Sequence, residues 1–202
     1  MAVKDHSLDE KIIKAATSEF MEHGFRDASL RKIAQHAGLT TGALYTRYKN
    51  KDILFCSLVE PTLREVASDF EPIELAYREA MDSLDPEKFL DAIRIEEEVY
   101  INLLYKHYDQ CILFFCRSDG SSIQNKVDQM MAEKAKQTTA YFRSISKTDI
   151  DFEGIELVLS EQFHFYRQLL QKGYDKEKAV SCIKSLENFM EAGWKDLFQR
   201  ML

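Results

Sequence analysis

Proline and glycine are scarce in this chain, with three Pro and seven Gly among 202 residues. That scarcity excludes a linker-rich modular protein and leaves room for long uninterrupted helices. The four cysteines, Cys56, Cys111, Cys116 and Cys182, form no CxxC pair, so reduced thiols are expected rather than a disulfide framework. No stretch approaches the roughly 20 uncharged apolar residues of a membrane span. The polar start MAVKDHSLDEK has no apolar core of the kind a signal peptide needs, and a cytoplasmic location is expected. Absent too are GxxxxGKS and GxGxxG phosphate loops, a GxSxG elbow and an HExxH pair, so the sequence reads as that of a non-enzyme with no cofactor and no metal site.

What is present suits a compact protein: 45% of the residues are hydrophobic and 30% charged. The net charge of −7 is unevenly spread, with residues 1–51 at +3 and the remainder at −10. A basic head on an acidic body is the charge pattern of a protein that presents one end to a polyanion. The expected division is a first domain over 1–51 and a second over 52–202.

Apolar residues recur at helical spacing almost throughout, and no run of strict alternation marks a strand, so the predicted fold class is all-α. Ser7 and Glu10 suggest a capping box opening a first helix that buries Ile12, Ile13, Ala16 and Phe20 and ends at Gly24. Ser29 caps a second helix carrying Leu30, Ile33, Ala34 and Ala37. Gly38 supplies the following turn, and Thr40 caps a third helix over about 41–48. Asn50 caps a fourth helix with Ile53, Leu54, Leu58, Leu63, Val66 and Phe70, in which Pro61 predicts a kink or break. Asp85 and Pro86 open a fifth helix to about 107, a short one follows over 111–116, and the turn SDGSS (118–122) precedes another at about 123–145. The last two helices, about 153–172 and from 175 onward, are apolar on more than one face. Two readings fit: both helices lie centrally in one body, or they pair with a second copy as an intersubunit four-helix bundle through Leu159, Phe163, Leu170, Ile183, Leu186, Met190, Trp194 and Leu197.

The segment SLRKIAQHAGLTTGALYTRYKNKDIL carries the functional signal. Two short helices joined through Gly38, the second opening on Thr40, Thr41, Gly42 and Ala43, let a backbone approach a DNA groove closely. Thr41 is placed for a base edge, Tyr45 for a thymine methyl or a phosphate, and Arg47 and Lys51 for phosphates. Ser29 and the amides beginning the second helix suit another phosphate. Tyr48 is counted with these DNA-binding candidates, although its ring reads as core with an exposed hydroxyl.

With these residues in view, the stretch from Ile12 to Leu54 resembles the head of tetracycline-repressor-like (TetR) transcriptional regulators. The resemblance rests on Ala15, Phe20, Gly24, Phe25, Ile33, Ala34, Ala37, Gly38, Gly42, Leu44, Tyr45, Tyr48, Lys51 and Leu54. It implies a homodimer on double-stranded DNA at a palindromic operator, acting as a repressor and released by a small-molecule effector. By matched position, Arg31, Thr41 and Gly42 fall where base contacts are made, and Ser29, Thr40, Tyr45 and Lys51 where phosphates are held. Arg47 stands where many members have His, and Tyr48 where Phe is usual.

Aromatic residues crowd the body, and a pocket is expected from Tyr100, His107, Tyr108, Cys111, Phe115, Gln162, Phe163 and Tyr166, with His164 a further polar candidate. The four-residue spacing of His107 and Cys111, followed by Cys116, raises a thiol- or metal-sensing regulator as an alternative. A second alternative is a DNA-binding protein without a ligand. The run Glu96, Glu97 and Glu98 reads as a solvated face.

Overall fold

A computed structural model describes residues 6–83 and 85–201, apart from the side chains at 6, 7, 66, 67, 69–71, 74, 81, 86, 127, 131, 162 and 163. Its elements are α1 (His6–Asp27), α2 (Leu30–His36), α3 (Thr41–Arg47), α4 (Lys51–Asp82), α5 (Pro86–Lys106), α6 (Tyr108–Cys116), α7 (Lys126–Ile145), α8 (Phe152–Gln171) and α9 (Lys176–Met201). No strand occurs among the described residues, so the fold class is all-α as the periodicity requires. No helix among them is long and apolar enough to cross a membrane.

Local chemistry sets most helix starts. The Ser29 hydroxyl accepts the Lys32 amide at 3.4 Å and Thr40 Oγ1 accepts the Ala43 amide at 3.2 Å. Asn50, Asp85, Asp151 and Asp175 cap α4, α5, α8 and α9 in the same way through their side-chain oxygens. The Ser7 side chain lies outside the described residues. Gly24, at φ 71°, and Gly38, at φ 72°, make the two turns of the head, where a Cβ would be strained. Of the kink or break expected at Pro61, the break does not occur, for α4 runs through it. A proline removes its own amide from the hydrogen-bond ladder and crowds the carbonyl four residues earlier, and the flanking turns hold the helix through it.

By their contacts the described residues form two compact units, one reaching Arg64 and including His107–Val127, the other comprising 65–106 and 128 onward. The packing boundary therefore lies beyond Lys51. Its cause is an apolar face on the first turns of α4: Leu54, Phe55, Leu58 and Val59 are buried in the core of the first unit with Leu113, Phe114 and Ile123. Rings of Phe20, Phe25 and Phe55 meet at centroid distances of 5.0 to 6.2 Å in that core. The Phe25 amide donates to the Arg117 carbonyl at 2.8 Å, which ties the end of α1 to the 117–122 turn. Ile123 is buried in a turn, and α7 begins three residues later.

The second unit packs around Phe89. Its ring contacts Tyr77, Phe142, Trp194 and Phe198 at centroid distances of 5.1, 5.5, 5.5 and 4.7 Å. Helices α4, α5, α7 and α9 supply these five rings, so one side chain joins four elements. Truncation of a fully buried Phe costs about 3 to 5 kcal/mol. The Phe89→Ala variant is expected to lose stability in that range by urea unfolding, whereas a loss under about 1 kcal/mol would show that the hub repacks without it.

Candidate nucleic-acid interface and body cavity

In the head, α2 and α3 are held from behind. Ile33, Ala34, Ala37 and Leu44 are buried, and Leu30, Leu39 and Tyr48 pack half-buried against the same core. The Tyr48 ring is thus core, as its spacing suggests. Turned outward are Arg31, Lys32, Thr40, Gly42, Tyr45, Thr46 and Lys49, all exposed, with Thr41 half-buried. Tyr45 is 48% exposed, a large amphipathic ring kept in water. Residues 29–51 contain Arg31, Lys32, Arg47, Lys49 and Lys51 and no Asp or Glu. A convex, acid-free face with small residues at its leading edge is what a DNA groove accepts.

Three expected phosphate ligands have other duties. The Lys51 ammonium donates to the Arg26 carbonyl at 2.8 Å and the Ala28 carbonyl at 3.2 Å, and lies 4.9 Å from the centroid of the Phe25 ring. It therefore caps the C-terminal end of α1, where carbonyls lack helical partners and favour a cation. The Arg47 guanidinium is paired with Asp9 of α1, both about a quarter exposed. The Ser29 amide donates to Glu19 Oε1 at 2.9 Å, and that carboxylate is 4% exposed. The N-terminus of α2 is thus already served by an internal anion, and only the Ser29 hydroxyl remains half-exposed beside it. Arg31, Thr40, Thr41, Gly42 and Tyr45 stay on the outward face, joined by the exposed Lys32 and Lys49.

The body holds a cavity of about 40 Å³ between α4, α5, α7, α8 and α9. Two expected ligand residues meet there: the Tyr100 and Tyr166 rings lie 4.4 Å apart. His107, Tyr108, Cys111 and Phe115 belong to the other unit and do not line it. Gln162 and Phe163 fall on side chains outside the described residues, and His164 is exposed beside Glu161 at 3.3 Å. Tyr77, Glu97 and Trp194 line the cavity and were not expected to. Glu97 is 4% exposed, so the reading of Glu96–Glu98 as one solvated face is corrected. Positions 89, 93, 97, 101 and 104 follow the buried stripe of α5, and that spacing is the signal that sets Glu97 apart from its neighbours. Glu96 is ion-paired with Lys134, and only Glu98 is fully exposed. Burial, and after it the Glu97 charge, pushes the Tyr77 and Tyr166 phenols above the usual tyrosine range.

Burial likewise pushes the Cys111 thiol up to about 12, with Cys116 adding to the effect. That suppresses the thiolate a redox or metal sensor requires. No three His, Cys, Asp or Glu side chains come together as a metal site among the described residues. Neither observation supports the sensing alternative at Cys111. The residues expected at a dimer interface are also placed differently: Leu159, Leu170, Ile183, Trp194 and Leu197 are buried within the chain, and Leu186 and Met190 are half-buried. One monomer covers them because Phe89 and Phe142 pack against Trp194 from α5 and α7. On the same two helices, Leu157 and Phe189 are 69% and 79% exposed, and Val158 is exposed as well.

These duties separate binding from stability. Tyr45→Ala is expected to leave the melting temperature unchanged and to weaken DNA binding at least about tenfold. Lys51→Met, by contrast, is expected to destabilise the head by about 1 to 2 kcal/mol through the unserved carbonyls. A melting temperature unchanged by Lys51→Met would return that lysine to a purely DNA-facing role.

Residues 12–58 match the family model of bacterial regulatory proteins of the tetR family. An HTH-type transcriptional regulator of Bacillus subtilis, YdgC, is 24% identical over 149 residues, 72% of each chain. A probable acrEF/envCD operon repressor of Escherichia coli is 36% identical over 62 residues, 30% of this chain and 28% of that protein. Among solved structures, a TetR-like transcriptional regulator from Rhodococcus sp. RHA1 shares the fold at a TM-score of 0.61 and 19% identity, covering 95% of this chain and all of that one. The head match, the placement of α2 and α3 and the shared helical fold agree: the chain is a DNA-binding transcriptional regulator whose residues 12–58 are similar to the head of tetR-family proteins.

Proposed function

We propose that the protein is a ligand-responsive repressor that binds a palindromic operator as a homodimer and is released by a small-molecule effector. The DNA-binding function is assigned to residues 1–51, and effector binding and dimerisation to 52–202. Repression accords with the E. coli relative matched over the head, which is itself named an operon repressor.

The observation that carries the ligand response is the reach of α4. Its early residues Leu54, Phe55, Leu58 and Val59 belong to the core of the head-containing unit, and its later residue Tyr77 forms part of the cavity wall. A ligand that displaces Tyr77 therefore acts on the same helix that carries the head. At about 40 Å³ the cavity holds only a few waters, whereas small-molecule sites run to roughly 300–1,000 Å³. An effector must therefore favour a more open body, and by linkage it disfavours whichever head arrangement goes with the closed one. Two half-sites one helical turn apart, about 34 to 36 Å, tolerate little change in head separation.

Dimerisation is assigned to the exposed apolar side chains Leu157, Val158 and Phe189 of α8 and α9. Selection of bound duplexes from a random pool is expected to return an inverted repeat, with two chains per duplex. Phe189→Glu is expected to sediment as a folded monomer and to lose operator binding by an order of magnitude or more. Recovery of a non-repeated site bound by one chain would contradict the homodimer, and a dimeric Phe189→Glu would move the interface elsewhere.

A further inference from the structure

A second cavity, of about 20 Å³, adjoins the first, and the two share Ile93, Glu97 and Trp194 in their walls. The Trp194 indole is 5% exposed, and its Nε1 donor is buried with no hydrogen-bond partner among the described residues. Ring contacts with Phe89 and Phe142 hold the indole, while its unpartnered N–H costs free energy and lowers the cost of moving the ring. Displacing the indole would merge the two cavities into one. In the combined lining Glu96 is ion-paired with Lys134 and Glu191 with Arg94, and Glu97 and Glu187 add two further carboxylates. Ring faces are plentiful as well, from Tyr77, Tyr100, Tyr166 and Trp194.

We propose that the merged cavity is a site for a hydrophobic organic cation, with the Glu97 carboxylate facing the charge and the tyrosine and tryptophan rings enclosing its apolar part. This rests on the reading of the body as an effector domain and names the chemical class of that effector. Three physical terms converge. An excess of carboxylates in a water-poor site favours a positive guest. Aromatic faces attract ammonium groups, more strongly when the cation is desolvated. The same lining repels anions, because it would bury a second negative charge beside Glu97. The phenols of Tyr77 and Tyr166, held neutral by burial and by that carboxylate, keep their rings as uncharged walls.

The chain has a single tryptophan, so its emission reports this wall alone. The test titrates the full-length protein with benzyltrimethylammonium and with neopentylbenzene, its uncharged isostere. Trp194 emission and calorimetry are read together, and operator binding is measured in parallel. The expected result is a saturable change with the cation, at least about tenfold tighter than with the isostere. Glu97→Gln, close in shape, is expected to remove that preference while leaving the isostere's affinity unchanged. No saturable binding of the cation, or equal binding of both probes by the wild-type protein, overturns the proposal, and neither result depends on a variant folding. Equal binding with operator release would still leave the repressor reading intact. Tight, Glu97-dependent binding of the cation without operator release would uphold the site and overturn the effector reading.

Discussion

The head depends on one ammonium group. Lys51 is the first residue of α4, yet it serves carbonyls at the end of α1 and covers the Phe25 ring. Through it the helix that begins the long connection is fixed to the helix that backs α2 and α3. The Asp9–Arg47 pair makes a second such tie, from α1 to the last turn of α3. Buried Glu19 makes a third, to the start of α2. With Lys51, Arg47 and Glu19 engaged internally, the outward face of α2 and α3 carries small polar residues, one tyrosine and the exposed Arg31, Lys32 and Lys49. Placement of the backbone is therefore done by contacts within the head itself, which is how an outward face stays ordered while remaining polar.

The body follows a different rule. Its core is built from rings around Phe89, and the same rings border cavities too small for an effector. Close packing at the hub and loose packing a few ångströms away suit a body with more than one arrangement, because only the loosely packed part needs to yield. Trp194 belongs to both regions: its ring packs on Phe89 and Phe142, and its N–H faces no acceptor among the described residues. A ligand there would exchange an existing aromatic contact for a new one, which lowers the cost of opening.

Much of this was legible in the amino-acid order. Caps at Ser29, Thr40, Asn50, Asp85 and Asp175 are short-range devices, and each appears where its side chain predicts. The exposed face of α3 follows from helical spacing alone. Long-range choices were less visible. Arg47 and Lys51 look like phosphate ligands because nothing local reveals Asp9 or the end of α1 as their partners. Residues 107–127 join the head-containing unit through packing of Leu113, Phe114 and Ile123, which no local pattern encodes. Glu97 was hidden by its acidic neighbours, although its register on α5 sets it among the buried positions. Trp194 and Leu197 read as an intersubunit surface because a helix hydrophobic on several faces looks the same whether its cover comes from the same chain or from another.

The central claim is that the outward face of α3 meets DNA, and site-specific photo-crosslinking tests it most directly. A photoreactive benzoylphenylalanine placed at position 45 in the full-length protein, on a duplex selected by that protein, is expected to crosslink to DNA with high yield. The same group at position 189 on α9 is expected to give none. Crosslinking from position 189 with none from position 45 would contradict the account, because the body rather than the helix-turn-helix would then be the part that holds DNA.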